Sequence, residues 1–342
     1  MVKKVLIIGG TGTISSPTTL FLAKQSDIEV TILNRGNKLS NLPKNIEVVK
    51  GDITKQTEMR IWLKDKQFDS VIHFVLFDAE SAKDNIELFK HHTKQFIFIS
   101  TVAALNHEEQ CFIDEETSYG NSYSGYGQSK ALAEKTFLEQ YQFDGFPVTI
   151  VRPTQTYDKD RIPLSIKGNH CWSVIDRMLK GKEVIVHSDG QSVWASTHAE
   201  DFARGIFPLI ANEETIGEIY QIMNTETHTW DMVYQMLAKL LDVEYKPVYI
   251  SSELLRHSKQ YRLETSIQGD KRWSNIFNVD KLKLVNPNFS CEIDLETGLK
   301  RFLSYMDDHP ELKKSDEVFD TWSDETIKLY KESKTNFLKF FK

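Results

Sequence analysis

Short, unbroken apolar runs recur through the first half of the chain. They are Val5-Leu6-Ile7-Ile8, Val30-Thr31-Ile32-Leu33, Ile46-Glu47-Val48-Val49, Val71-Ile72-His73-Phe74-Val75, Phe96-Ile97-Phe98-Ile99-Ser100-Thr101 and Val148-Thr149-Ile150-Val151-Arg152-Pro153. Continuous apolar character over so few residues is the pattern of strands buried on both faces, as in a parallel sheet covered by helices. Between the runs the pattern turns helical, for instance at Leu20–Ala23 and from Ala131 to Leu138. Strand alternating with helix predicts an α/β fold built on a doubly wound parallel sheet.

After residue 151 the alternation loses its regularity. Strand-like pieces at 183–186 and 192–197 and helices at 199–211 and 229–241 predict a smaller mixed α/β lobe over the sheet. The division expected is 1–151 for the regular α/β domain and 152–306 mainly for the second lobe, with about 192–211 returning to the core. Residues 307–342 read as a charged helical extension with Phe319, Trp322, Ile327 and Tyr330 at helical spacing.

With 342 residues the chain can bury a sizeable core, and 40% hydrophobic and 27% charged residues suit a globular protein. A net charge of −7 argues against a broad nucleic-acid or anionic-membrane surface. Cys111, Cys171 and Cys291 are scattered, which fits neither a disulfide framework nor a cysteine metal site and points to a reducing compartment. No metal cluster is expected; His91 and His92, adjacent in sequence, point apart on a helix. The apolar run after Lys4 breaks at Gly9, too short for a signal peptide, and no run approaches the ~18 apolar residues of a membrane span. The expected location is the cytoplasm.

Gly9-Gly10-Thr11-Gly12-Thr13-Ile14-Ser15 joins the first strand to a helical stretch. Strand, glycine turn and helix are the context of a phosphate-cradling loop, making the domain Rossmann-type, although a plain tight turn has the same composition. Gly9, Thr11, Gly12, Thr13 and Ile14 are the expected cofactor contacts; Ser15 stands in place of a third glycine, and Pro17 suits a first helical turn. The second strand ends in Asn34-Arg35-Gly36 rather than an acid. Arg35 is suited to a 2′-phosphate, so NADP is favoured over NAD, the alternative being that Arg35 is a solvated turn residue. Asp52 and Ile53, Phe74 and Val75, Ser100 and Pro153 follow at strand ends, where ligands sit in open α/β sheets. Asp52 is placed to accept from an adenine amino group or to cap the helix beginning near Lys55, roles that do not exclude each other. His73, inside an apolar run, reads as a core histidine.

Tyr126 and Lys130 stand four apart at the start of a helical stretch, hence on one face. A phenol loses its proton near pH ~10, and a neighbouring cation lowers that by about one to three units. Lys130 supplies one cation and an oxidised nicotinamide would supply another, which places the pair beside a dinucleotide.

Gly9-xx-Gly12-xx-Ser15, Gly51-Asp52, Ser100-Thr101, Tyr126-xxx-Lys130, Arg152-Pro153 and His198-xx-Asp201, in this order, resemble the extended short-chain dehydrogenase/reductase family, the branch of NAD(P)-dependent nucleotide-sugar epimerases and dehydratases. The resemblance runs from Val2 to about Tyr305. It implies Tyr126 as acid/base, Lys130 as its electrostatic partner and nicotinamide-ribose ligand, Thr101 as hydrogen-bond partner of the reacting oxygen, and a homodimer formed through the helices around 84–92 and 126–141. His198 and Asp201 open a helix and read as cap and buttress. Two departures concern the substrate. Trp194 stands where many relatives place an arginine on the diphosphate; it is able to stack on a ring but not to neutralise charge. Arg152-Pro153-Thr154-Gln155 replaces a segment that often holds an asparagine, leaving Arg152, Arg161, Lys167 and Arg177 as alternative cations. Arg152 and Trp194 are the expected substrate contacts. Val102-Ala103 after Thr101, in place of the usual acidic pair, counts against dehydration. The leading reading is an epimerase or reductase acting on a sugar nucleotide or similar small molecule. Its rival is a non-catalytic dinucleotide sensor or RNA-associated scaffold.

Overall fold

The computed structural model describes residues 2–36, 42–167 and 170–341. A seven-stranded sheet forms its centre. Its strands are β1 (Lys3–Ile8), β2 (Ile28–Asn34), β3 (Glu47–Lys50), β4 (Ser70–His73), β5 (Phe96–Ile99), β6 (Val148–Pro153) and β7 (Ile219–Ile222). They lie in the order 3-2-1-4-5-6-7, and every pairing is parallel. Six of the strands are the apolar runs noted above. β7, Ile219-Tyr220-Gln221-Ile222, adds an edge that was not anticipated, because its few residues carry a glutamine within an otherwise apolar stretch. Its register, Ile219 opposite Ile150 and Ile222 opposite Pro153, brings the chain back from the region above the sheet.

Period-two alternation sorts each buried strand between two cores. Val5, Ile7, Val30, Ile32, Ile97 and Val151 face one side, packing with helices α1 (Ser15–Leu22) and α6 (Ala199–Ile206) through Leu22, Phe202 and Ile206. Leu6, Ile8, Leu33, Val71, Phe96, Phe98 and Ile150 face the other. There they meet α2 (Gln56–Leu63), α3 (Ala79–Phe89) and α4 (Gly125–Asp144). Phe137 of α4 sits 5.3 Å from Phe96 and 5.2 Å from Phe98, ring centre to ring centre. Full burial of such a ring contributes about 1.5–3 kcal/mol, and each aromatic pair up to ~1.5 kcal/mol more.

A third core lies beyond β6. It includes α5 (Trp172–Leu179), α7 (Trp230–Leu241), the parallel pair Val184–His187 and Pro247–Ile250, and the helix Leu295–Asp308. The helix Glu317–Leu338 docks on it through Phe319 and Ile327. Arg177, almost wholly buried, donates to Asp320 and Asp324 of that helix, and Lys182 bridges the same two carboxylates. No helix of the described residues is long and apolar enough to cross a membrane.

Three buried imidazoles carry a consequence for stability. Burial holds His73 near 3 and His187 and His228 near 4, all below the ordinary 6.5. Each folded-state value is depressed, so between about pH 4 and 6.5 the unfolded chain binds more protons, and stability falls as pH falls through that window. The slope is about 1.4 kcal/mol per pH unit for each imidazole. Urea titrations at pH 7 and pH 5 are expected to show a markedly lower midpoint at pH 5; equal midpoints would refute neutral burial of these rings.

Candidate active site

A cleft of about 530 Å³ opens along the carboxyl ends of β1, β4, β5 and β6. Its first wall is the glycine loop. Gly9 has φ +83°, and a Cβ there would lie 2.7 Å from Val75, so both backbone conformation and space require glycine. Ser15 donates to the Gly9 carbonyl (2.5 Å) and accepts from the Gly12 N–H (2.8 Å). The serine that replaces a third glycine thus staples the loop. Ile14, at the cap position of α1, offers no side-chain acceptor to the helix N-terminus. A bare helix N-terminus beneath a glycine loop that leaves no room for side chains fits a dinucleotide phosphate.

The second-strand turn stands next along the same sheet edge. Asn34 donates to the Thr11 hydroxyl (3.1 Å), tying this turn to the glycine loop, while Arg35 is exposed. Asp52 accepts from the Thr54 N–H (3.0 Å) and hydroxyl (2.8 Å). These bonds hold its carboxyl below the ordinary range, and Arg35 adds to the effect. Lys55, not Asp52, occupies the cap position of α2, so Asp52 closes a local turn instead of capping the helix. Thr11, Asn34, Arg35, Asp52 and Ile53 do not line the cleft itself. Gly9, Gly12, Thr13, Ile14, Phe74, Val75, Ser100, Thr101, Tyr126, Lys130, Pro153 and Trp194 do.

Thr101 and Tyr126 meet because α4 starts hard against the turn after β5. Ser124 caps α4 by accepting from the Gly127 N–H (3.0 Å). A Cβ on Gly127 would fall 1.9 Å from the Ala103 carbonyl oxygen, so only glycine lets the two backbones approach this closely. Lys130, one turn on, is buried and donates to the Leu76 (2.5 Å) and Ile99 (2.7 Å) carbonyls. Burial pushes its ammonium down to about 7. Tyr126 is 45% exposed as a residue, yet desolvation in the cleft still raises its pKa above the ordinary value. The groups opposing that rise are Arg161 first and then the Thr101 hydroxyl. From the i,i+4 spacing Lys130, together with an oxidised nicotinamide, is expected to exert that pull. Here the Lys130 ammonium points beneath the phenol, 5.9 Å from its ring centre, and Arg161 is the cation acting on the hydroxyl.

Ser100 lines the cleft but donates its hydroxyl to Glu134. His73 accepts from the Val75 N–H (3.2 Å) and is buried, as a core histidine. His198 accepts from the Glu200 N–H (3.3 Å) at the start of α6, and Asp201 accepts from the backbone N–H groups of Glu292 (2.8 Å) and Ile293 (3.1 Å). Cap and buttress are their observed places.

Arg152, expected to face substrate, does not. Its Nη2 lies 2.7 Å from Glu134 and its Nε donates to the same carboxylate, with both side chains buried. A guanidinium buried with a carboxylate has no donor to spare for a ligand. Lys167 is paired with Asp316 and Arg177 with Asp320 and Asp324, so of the four cations weighed from sequence only Arg161 lines the cleft. Trp194 is buried among His107, Trp230 and Phe277 with part of its ring in the cleft wall. The cleft also receives Gln155 and, from the segment Glu264–Lys271, Thr265, Ser266, Asp270 and Lys271. Nothing in the local sequence marked Asp270, since Gly269-Asp270-Lys271-Arg272 has the composition of a solvated turn. Among the described residues no three potential metal ligands cluster.

Comparison with known proteins agrees with this geometry. The pattern of the NAD dependent epimerase/dehydratase family matches residues 5–222, more than half the chain. The chain is 21% identical to 2'-dehydrokanamycin reductase of Streptomyces kanamyceticus over 293 residues, 84% of this chain and 80% of that protein. It is 25% identical to human UDP-glucose 4-epimerase over 283 residues, 69% of this chain and 81% of that one. The fold superposes on UDP-glucuronic acid 4-epimerase from Bacillus cereus, solved with UDP-glucuronic acid and NAD, with a TM-score of 0.72 and 20% identity. That match covers 89% of this chain and 99% of the other. A match this extensive, on a sheet and glycine loop of this form, makes the protein a member of the NAD dependent epimerase/dehydratase family.

Proposed function

We propose that the protein transfers hydride between NAD(P) and a hydroxyl- or carbonyl-bearing carbon of a sugar nucleotide or similar small molecule, with Tyr126 as acid/base. The observation that carries this reading is the meeting of Thr101, Tyr126 and Lys130 in one cleft bounded by the glycine loop. The bound dinucleotide supplies the hydride donor or acceptor and, when oxidised, a ring cation. Gly9, Gly12, Thr13 and Ile14 would hold its phosphates, Phe74, Val75, Ser100 and Pro153 would border its nicotinamide half, and Asn34, Arg35, Asp52 and Ile53 its adenosine half. Tyr126 gives its proton to the substrate oxygen in reduction and takes it back in oxidation. Thr101 would orient that oxygen, and the third ammonium N–H of Lys130, the one not used by the Leu76 and Ile99 carbonyls, would anchor the nicotinamide ribose. General acid help of this kind contributes ~10²–10⁴-fold, and alignment of the reacting carbons supplies the remainder.

Reduction is favoured over epimerisation. Burial raises the Tyr126 phenol above its ordinary value, which further favours the protonated form that donates to a carbonyl. Trp194 offers no charge to a diphosphate, and the Streptomyces relative is named as a reductase. NADP is favoured by exposed Arg35 at the end of β2. A homodimer through α3 and α4 is supported by Leu132 and Phe143, which stand exposed on α4. Three unpaired cysteines accord with a reducing, cytoplasmic setting.

Calorimetric titration with NADPH and NADH tests the cofactor reading. NADPH is expected to bind at least tenfold more tightly, with the advantage lost in Arg35→Ala, because a guanidinium–phosphate pair is worth on the order of 1.5–3 kcal/mol. An NADH preference indifferent to Arg35 would overturn NADP specificity. Binding of neither would overturn the enzymatic reading.

A further inference from the structure

Eleven buried side-chain polar atoms of the described residues lack a hydrogen-bond partner, and four of them belong to side chains lining this cleft. They are Gln155 Oε1, Arg161 Nε, Trp194 Nε1 and Asp270 Oδ1. A buried polar atom left unsatisfied costs about 1–3 kcal/mol, so a group of them facing one cavity calls for a partner that enters it. We infer that Gln155, Arg161, Trp194 and Asp270 form a subsite for a substrate ring bearing neighbouring hydroxyl or amino groups and no diphosphate. This inference rests on the proposed hydride-transfer reading for its orientation toward Tyr126.

The chemistry of the four atoms sets the ligand class. Arg161 Nε and Trp194 Nε1 only donate, while Asp270 Oδ1 accepts; the Gln155 amide does both. A hydroxyl group donates one hydrogen bond and accepts up to two, so adjacent ring hydroxyls satisfy a wall of mixed donors and acceptors. A diphosphate only accepts, so it could satisfy Arg161 Nε and Trp194 Nε1 but would leave the acceptors Gln155 Oε1 and Asp270 Oδ1 without a donor.

The positive groups nearby do not reverse this. Lys271 spends its ammonium on the Leu164 (2.8 Å) and Ser165 (2.9 Å) carbonyls. Among the described residues neither Arg161 nor Asp270 lies within ion-pair distance of an opposite charge; Asp160 and Asp270 act on Arg161 only at longer range, and the Arg161 Nε and Asp270 Oδ1 atoms are left without a partner. Burial raises the Asp270 carboxyl, opposed by His107, Lys271 and Arg161. The segment that presents Asp270, Glu264–Lys271, is wound as a π-helix, an uncommon geometry that recurs at functional sites.

The test uses the full chain loaded with NADPH, titrated with methyl α-D-glucosaminide, methyl α-D-glucopyranoside and UDP-glucose, binding being read by saturation-transfer NMR. At least one methyl glycoside is expected to bind more tightly than UDP-glucose and to lose at least tenfold in affinity in both Asp270→Asn and Gln155→Leu. Asp270→Asn replaces a carboxyl whose ionisation burial disfavours with a neutral amide of the same shape, so its Tm without ligand should equal or exceed that of wild type, with NADPH affinity unchanged. Tighter binding of UDP-glucose, glycoside affinity indifferent to the two substitutions, binding of no probe, or a Tm several degrees lower in Asp270→Asn would each overturn the subsite. The methyl glycosides carry hydroxyls to be oxidised and no carbonyl to be reduced, so turnover is read with NADP+ in place of NADPH; glycoside binding that depends on Asp270 with no NADPH formed would sink the catalytic reading and leave the subsite standing.

Discussion

Tyr126→Phe is expected to slow hydride transfer by about 10²–10⁴-fold while leaving NADPH affinity unchanged. The substitution removes one hydroxyl from a ring that already contacts Phe77 (6.4 Å between centres), so packing at the start of α4 is preserved. What it removes is the proton at a titratable group paired with the Thr101 hydroxyl. Burial raises this phenol and Arg161 draws it partly back, so at pH 7 it is protonated and ready to donate. The reductive rate should therefore hold steady across neutral pH and fall only as the phenol ionises. The oxidative rate should climb with pH over the same range. Single-turnover absorbance of NADPH checks both. A Tyr126→Phe variant with wild-type rates would remove Tyr126 from the mechanism and hand the proton to another group.

Glu134→Ala should cost about 3–5 kcal/mol of folding stability, the largest loss expected from one substitution outside the cofactor loop. Glu134 lies on α4 one turn after Lys130 and is wholly buried. Its carboxylate receives the Arg152 guanidinium at 2.7 Å, the Tyr119 hydroxyl at 2.8 Å and the Ser100 hydroxyl. Truncation leaves the Arg152 charge buried without its counterion, and that uncompensated charge, more than the lost bonds, sets the cost. Replacing both partners with apolar residues, Glu134→Leu with Arg152→Met, should recover most of the loss because neither charge then needs solvation. Urea denaturation of the single and double variants decides the matter. If Arg152 acted on substrate, Glu134→Ala would damage activity while leaving stability near wild type.

The same pair shows where local reading ends. Arg152 follows an apolar strand and precedes a proline at the mouth of a ligand site, and from that position it was expected to face substrate. Its partner lies 18 residues earlier on a helix whose polar positions look solvated in isolation. Only the packing of α4 across β5 and β6 brings them together.

Much of the protein was written in its local sequence. Six of the seven central strands, the glycine loop and the Tyr126–Lys130 pair depend on hydrophobic period, on glycine's freedom and on i,i+4 geometry, all set by residues within a few positions of one another. Tertiary structure alone decided the rest. It added β7 at the sheet edge, turned Lys130 toward the Leu76 and Ile99 carbonyls, and set Arg161 rather than Lys130 against the Tyr126 hydroxyl. It also carried Asp270 from a turn-like stretch into a cleft more than a hundred residues away from Tyr126 in sequence. Burial, and the choice of which distant charge meets which, are properties of the folded chain; a window of neighbouring residues contains neither.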